Sequence, residues 1–488
     1  MNSNKTTKLV QNYVKGKWKV SSSDRVLDVT NPATGEVISK MPLSIKGELN
    51  EAVAVAKEAF SEWRRTPPII RVGYFFKLKS LLEENFEDLS RILTIENGKT
   101  LSEARGSVRR GIQNVETACG IPTAMQGYNL EDIAEGIDCV AVRQPLGVFG
   151  CITPFNFPAM VPLWFFPTAV TCGNTFIVKP SEQTPLCQVR IFELLDEAGF
   201  PPGVINLVNG DAECAEAMLE HPDIAGVSFV GSSAVAKHIY KRCGETGKRV
   251  QALGGAKNFA IIMPDADISK TVPALINSAF GCAGERCLAT SVLLTVGNGY
   301  KALKDPLIQA TKKLKVGNGL DESVDMGPVI SAKHKQRVLR YIEQGIEEGA
   351  TLLLDGRTTV VEEYPDGYYV GPTIFDEVSP NMTIAKEEIF GPVLGIIRVQ
   401  DLEEALSLIN NNQYGNASSI FTQSGAAARK FKYEVGISML GINIGIAAPM
   451  AFFMFGGAKK SFFGDLKAYG RDGVEFFTDK RIVISRWF

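Results

Sequence analysis

The segment FGCAGERCLAT, Phe280 to Thr290, carries two cysteines five residues apart, with Gly284, Glu285 and Arg286 leading into the second. A thiolate is a strong nucleophile, and a neighbouring guanidinium favours thiolate over thiol. Cys287 is therefore expected to have a depressed pKa. Cys282, among Phe280, Gly281 and Ala283, reads as a small buried hydrophobe. No histidine lies close in sequence, which argues against a histidine-dependent cysteine protease. Asn156 sits in the apolar, proline-stiffened loop CITPFNFPAMVP; its amide either bonds its own backbone or is a rigid donor aimed at a developing oxyanion. Lys179 and Glu182 follow the apolar run NTFIVKPSE, and Ser232 and Ser233 follow Gly231 in VSFVGSSAVAKHI. A helix start with small hydroxyls suits a pyrophosphate, although an ordinary capped turn explains Gly231-Ser-Ser better when it is taken alone. A carboxylate at a strand end, such as Glu182, accepts ribose hydroxyls and repels a 2′-phosphate. No GxGxxG fingerprint lies nearby.

These residues need a scaffold, and the chain supplies a rhythm for one. Apolar β-branched runs (GVFGCIT, NTFIVKP, GVINLVNG, IAGVSFVGS, NFAIIMP) alternate with helical patterns such as PLCQVRIFELLDEAGF, which predicts parallel sheets covered by helices. The rhythm resumes after Cys287, so two α/β domains are expected. The N-terminal third reads as mostly helical, in NEAVAVAKEAFSEW and YFFKLKSLLEENFEDLSRILTIENGK. Glycines 281 and 284 should end the helix TVPALINSAF and leave Cys287 in a loop or tight turn. IDCVAVRQP and DKRIVISRWF alternate polar and apolar residues, as half-exposed strands do.

With 488 residues, 45% of them hydrophobic, the chain can bury a large core. Its 52 basic and 54 acidic residues nearly cancel, giving no reason to expect nucleic acid or an anionic membrane as partner. The first residues lack the apolar core of a secretory signal. Nine cysteines without CxxC pairs, and three dispersed histidines (His221, His238, His334), imply reduced thiols in a cytoplasmic setting and no metal site. Gln144 to Val178 lacks charge, but its five prolines disfavour a spanning helix and imply buried interior.

Taken together, PFNFP (154–158), KPSEQTP (179–185), FVGS (229–232), LGGAKN (253–258), AGERC (283–287) and EEIFGPV (387–393) resemble the aldehyde dehydrogenase superfamily in order and spacing, over essentially the whole chain. Within it, PFNFP, the Gly-Ala-Lys-Asn run, GERC and APMAFF resemble the CoA-acylating methylmalonate-semialdehyde dehydrogenases. The resemblance implies an α/β fold of two Rossmann-like parallel-sheet domains plus a small β oligomerisation arm. It implies an NAD-binding domain over 1–136 and 147–253, a catalytic domain over 254–452, and oligomerisation strands over 137–146 and 468–488. It makes Cys287 the nucleophile and Asn156 half of the oxyanion hole, with the Cys287 N–H as the other half. It places Lys179 and Glu182 on the adenosine ribose, Ser232 on the pyrophosphate and Glu388 on the nicotinamide ribose, with Thr153, Phe155, Gln183 and Gly254 also lining the cofactor. NAD is then preferred over NADP, and a homo-oligomer, dimer or tetramer, is expected.

Hydrolytic relatives open a Glu-Leu-Gly-Gly-Lys motif with the glutamate that activates water. Here that position is Ala252 or Leu253, and no Asp or Glu occurs between Glu245 and Asp265. Losing a general base costs roughly 10²- to 10⁴-fold, so the acyl-enzyme should await a better nucleophile, the coenzyme A thiol. Arg110 and Arg286 match the two arginines that grip a substrate carboxylate, for which a guanidinium fork is well shaped. The resulting expectation is oxidative decarboxylation of malonate or methylmalonate semialdehyde to acetyl- or propionyl-CoA. A hydrolytic semialdehyde dehydrogenase and a non-catalytic scaffold are the alternatives. Met454, in place of the usual proline, and Ala236, in place of glycine, are departures expected to reshape the pockets.

Overall fold

The computed structural model describes residues 8–488. The alternating apolar runs form an eight-stranded sheet in the order Lys17–Lys19, Asn12–Val14, Ile205–Leu207, Thr175–Lys179, Val148–Ile152, Ile224–Val230, Arg249–Leu253, Phe462–Phe463. Its five strands from Ile205–Leu207 to Arg249–Leu253 run parallel, with antiparallel strands at both edges. Register decides what this sheet can present. Ile152 pairs with both Lys179 and Phe229, so three adjacent strands end level and open one crevice at their carboxyl ends.

A second, seven-stranded sheet runs Thr351–Leu354, Thr373–Asp376, Val393–Val399, Thr290–Val296, Asn258–Ile262, Ala417–Phe421, Met439–Ile442, parallel except for its first pair. Cys287, Asn258, Glu388 and Asn416 all lie at or just before the amino ends of its strands. The site therefore forms where the carboxyl ends of one sheet face the amino ends of the other.

The uncharged stretch from Gln144 to Val178 is interior. Val148–Ile152, the helix Pro162–Thr171 and Thr175–Lys179 are buried at every position. Pro162 sits in the first turn of its helix, where its missing N–H costs nothing. No helix among the described residues is long and apolar enough to cross a membrane.

Three local expectations change. The long helical stretch of the N-terminal third divides at Asn85 into Pro68–Glu84 and Phe86–Asn97. Tyr128–Ala134, placed by sequence within the 1–136 segment of the first domain, instead pairs with Ile137–Pro145, which in turn pairs with Thr478–Arg486, in a separate antiparallel sheet. Ile137–Pro145 is half-exposed as expected, whereas the last strand is exposed on both faces: Ile482, Val483 and Ile484 are 55%, 48% and 66% exposed.

Candidate active site

The helix Ile268–Phe280 stops at Gly281, and the chain then turns through Cys282 and Ala283, both in the left-handed region at φ 50°. Gly284 follows at φ 74°, where a Cβ would lie 2.2 Å from the Gly391 carbonyl oxygen, so no side chain fits there. This strained turn, which the glycines signalled, delivers Cys287 ahead of the strand Thr290–Val296. The Cys287 carbonyl accepts hydrogen bonds from the amides of Asn258 (2.9 Å) and Asn416 (2.7 Å), two side chains for which sequence reading had assigned no task.

The expectation of a depressed Cys287 pKa is reversed. Burial, and next the Glu388 carboxylate, push the thiol up to about 12, against the smaller opposing pulls of the Cys287 and Leu288 backbone N–H groups and of Arg286. The reason is geometric. The Arg286 guanidinium turns away from its neighbour and donates to Glu103 Oε1 (3.1 Å), the Asn277 carbonyl (2.9 Å) and Cys282 Sγ (3.2 Å). The Glu103–Arg286 pair is almost wholly withdrawn from water, at 12% and 13% side-chain exposure. Cys282 is buried as expected, but it is more than filling: its sulfur accepts from Arg286 and its N–H donates to Glu103 at 2.6 Å.

Glu103 and Arg110 project from one helix, Leu101–Cys119, opened by a reciprocal capping box between Thr100 and Glu103. The adjacent Arg109 points outward to Glu83 at 2.6 Å. Arg110 faces a cavity of about 440 Å³ that also holds Cys287, Arg286, Glu103, Trp164 and Tyr469. Its contacts are weak acceptors, Gln113 Oε1 at 3.4 Å and Met450 Sδ at 2.9 Å. The cavity thus holds one guanidinium already paired and one without a carboxylate partner among the described residues. Phe455 lines this space, whereas Met454 is 48% exposed and takes no part in it. Ala236 is buried against the first sheet, on the helix Ser233–Glu245.

Asn156 is buried beside the nucleophile loop. Its Nδ2 donates to the Glu285 carbonyl (2.9 Å), leaving one amide hydrogen uncommitted, and Lys99 Nζ fixes its backbone carbonyl at 2.5 Å. The Glu285 carboxylate is turned away, accepting the Ile330 N–H at 3.1 Å and lying 3.4 Å from His334.

The residues assigned to a dinucleotide lie around the crevice. Lys179 is buried, donates to the Pro180 carbonyl (2.8 Å), and stands 3.8 Å from the part-exposed Glu182. Thr153 N–H ties to the Lys179 carbonyl at 3.1 Å, and Gln183 N–H bonds Ser181 Oγ at 3.2 Å. Ser232 caps the helix Ser233–Glu245 by position, but its side chain makes no capping bond and stays free. Gly254 and Gly255 are close-approach glycines. A Cβ on Gly254 would lie 2.7 Å from both the Lys460 carbonyl and Ser233 Oγ, and one on Gly255 would lie 2.2 Å from Glu388. Glu388 accepts the Ala256 N–H (2.9 Å) and is pushed up to about 7 by burial. Burial pushes the Lys257 ammonium down to about 7, and its Nζ has no hydrogen-bond partner among the described residues. Phe155 packs edge-on against Phe390, 5.9 Å between centroids. A free hydroxyl at a helix start, a carboxylate at a strand end and glycines that clear the backbone together fit a dinucleotide.

The model describing the aldehyde dehydrogenase family matches residues 18–483. A protein named malonate-semialdehyde dehydrogenase 2 from Geobacillus kaustophilus is 52% identical over 478 residues, covering 98% of this chain and 99% of its own. A solved structure from Sinorhizobium meliloti 1021, described as a methylmalonate-semialdehyde dehydrogenase complexed with NAD, superposes with a TM-score of 0.98 at 44% identity, covering 99% of each chain. A methylmalonate-semialdehyde dehydrogenase from Oceanimonas doudoroffii matches with a TM-score of 0.97 at 45% identity, again over 99% of each chain.

Proposed function

Since the chain belongs to the aldehyde dehydrogenase family, we propose that it oxidises malonate or methylmalonate semialdehyde with NAD and passes the decarboxylated acyl group to coenzyme A. The observation that carries this reading is the state of charge in the cavity. Among the described residues the one carboxylate lining it is Glu103, and that group is pinned by Arg286 and the Cys282 N–H. No free base faces an attacking water there, while Arg110 offers an uncompensated guanidinium to a substrate carboxylate.

Cys287 is the nucleophile: its thiol proton passes to solvent water and the thiolate adds to the aldehyde carbon. Its N–H and the uncommitted Asn156 amide hydrogen hold the oxyanion that forms. Lys99, bound to the Asn156 backbone, keeps that loop from moving as charge develops. Bound NAD supplies the hydride acceptor, and Lys179, Glu182, Ser232 and Glu388 would hold it, with Thr153, Phe155, Gln183 and Gly254 beside them. The thioester left on Cys287 still carries its carboxylate against Arg110. Loss of CO₂ leaves a carbanion delocalised into the thioester carbonyl, where the same two donors stabilise it. The coenzyme A thiol then exchanges one thioester for another of similar energy.

All nine cysteines are free thiols, which suits a cytoplasmic setting. The exposed strand Thr478–Arg486, at one edge of the sheet it forms with Ile137–Pro145, offers an edge for a homo-oligomer. The test is NADH formation and product analysis with both semialdehydes, with and without coenzyme A. Acetyl- or propionyl-CoA should form, and turnover should slow at least about 100-fold when the thiol is omitted. Equal steady turnover to free acid without coenzyme A would establish a hydrolytic enzyme instead.

A further inference from the structure

Decarboxylation leaves a carbanion that must be protonated, and the two arginines cannot do this because a guanidinium does not surrender its proton in a protein. We propose that Tyr469 is the acid that delivers this proton, a catalytic role beyond the oxidation and acyl transfer above and resting on that CoA-acylating reading.

Tyr469 lines the cavity with Cys287 and Arg110. It is only 6% exposed, its ring edge-on to Trp164 (5.4 Å between centroids) and stacked on Phe455 (5.9 Å). Its hydroxyl makes no hydrogen bond among the described residues and is left open to the cavity. Its backbone is at φ 40°, a strained region for a non-glycine residue. The Phe455–Ala468 bridge and the Gly473 N–H bond to the Tyr469 carbonyl hold that conformation. The carboxyl and thiol that line the cavity beside it, Glu103 and Cys282, are tied to Arg286.

The chemistry closes on itself. Departure of CO₂ breaks the carbon–carbon bond and leaves its electron pair on the α carbon and the thioester oxygen. That pair takes the Tyr469 proton to form the new C–H bond, and the phenolate recovers a proton from water. Arg110 sets the timing. Burial holds the phenol protonated, and Arg110 opposes it. A bound substrate carboxylate cancels the Arg110 charge; when it leaves as CO₂ the guanidinium is uncovered and favours the phenolate at the moment a proton is needed.

Tyr469→Phe keeps the ring packing and removes the acid. With methylmalonate semialdehyde in a single turnover, the NADH burst should stay within about 3-fold of the parent enzyme while propionyl-CoA formation falls by roughly 100-fold. With propanal, whose acyl group has no CO₂ to lose, the loss in propionyl-CoA formation should be at least about 10-fold smaller. Parent-like propionyl-CoA formation, or equal losses on both aldehydes, overturns the proposal. Should the variant give no burst, fluorotyrosine at position 469, which keeps the ring and hydroxyl and makes the phenol a stronger acid, decides: a changed rate of propionyl-CoA formation from methylmalonate semialdehyde with an unchanged burst supports Tyr469, and parent-like rates for both overturn it. A parent enzyme that makes no acyl-CoA overturns the functional reading, and the proposal with it.

Discussion

The crevice at the carboxyl ends of the first sheet and the cavity beside Cys287 meet at one loop but are assembled in opposite ways. In the crevice the polar groups sit within a few residues of the strand ends that aim them: Thr153 after Val148–Ile152, Lys179 and Glu182 at and after Thr175–Lys179, Ser232 after Ile224–Val230. In the cavity they come from distant segments. Glu103 reaches Arg286 across 183 residues, and Arg110 touches Met450 across 340. The electrostatics differ too. Around the crevice, Glu388 and Lys257 are drawn toward neutrality by burial. In the cavity, one guanidinium is cancelled by a carboxylate and the other is left bare. A prearranged backbone suits a ligand of constant shape, whereas selective charge cancellation creates a single point of attraction for a small anion.

The largest effects should separate the two cysteines of the nucleophile loop. Cys287→Ala is expected to lower kcat by at least about 10⁴-fold. Cys282→Ala, which keeps the N–H bond to Glu103 and loses only a sulfur acceptor, should cost no more than roughly 10-fold. Equal losses in steady-state assays would remove the distinction between them. Next in size are the two arginines. Arg110→Leu should raise KM for a carboxylate-bearing aldehyde by roughly 30- to 10³-fold, the cost of losing one partner of a desolvated charge pair, and change KM for propanal far less. Arg286→Leu should add a stability loss of about 3 kcal/mol, because it strands Glu103. If thermal denaturation shows Arg110→Leu to be the more destabilising, the assignment of bare and cancelled charge is wrong.

Legibility in the sequence follows the same division. The crevice was readable because a parallel strand ends at a point that its own apolar run announces, and the residues just beyond have a known direction. The strained turn before Cys287 was readable from Gly281 and Gly284. The ionisation of Cys287 was not, since it depends on burial and on Glu388, and chain neighbours such as Arg286 and Cys287 can point opposite ways when distant groups such as Glu103 draw one of them off. The Thr100–Glu103 capping box was a visible signal for Glu103, though a cap gives no sign that the same carboxylate also binds across domains. Asn258 lay within a recognised motif without a task, and Asn416 and Tyr469 carried no local pattern at all. Tyr128–Ala134 was misplaced because strand pairing is set by partners, not by position along the chain.

The smallest effect tests the crevice side alone. Glu96 is fully buried, and its two carboxylate oxygens accept the N–H groups of Leu186 (2.7 Å) and Cys187 (2.9 Å), tying the helix Phe86–Asn97 to the start of Leu186–Ala198. Burial pushes its pKa up from 4.5 to about 8, with the two N–H bonds pulling the other way. A carboxyl raised on folding contributes stability that is complete below its unfolded pKa and is lost as pH rises through the folded one. The contribution of Glu96 therefore declines between about pH 4.5 and 8 and is flat above. Glu96→Gln keeps the packing and one acceptor; the missing acceptor costs about 1 kcal/mol at every pH. One pKa unit is about 1.4 kcal/mol, so by pH 6 the parent has lost about 2 kcal/mol, more than the missing acceptor costs. The variant should melt below the parent protein near pH 4.5 and above it at pH 6, with the gap widening until about pH 8. A Tm difference that stays constant across that range would show that Glu96 keeps one ionisation state throughout, so that its cap on the crevice helix is insensitive to pH.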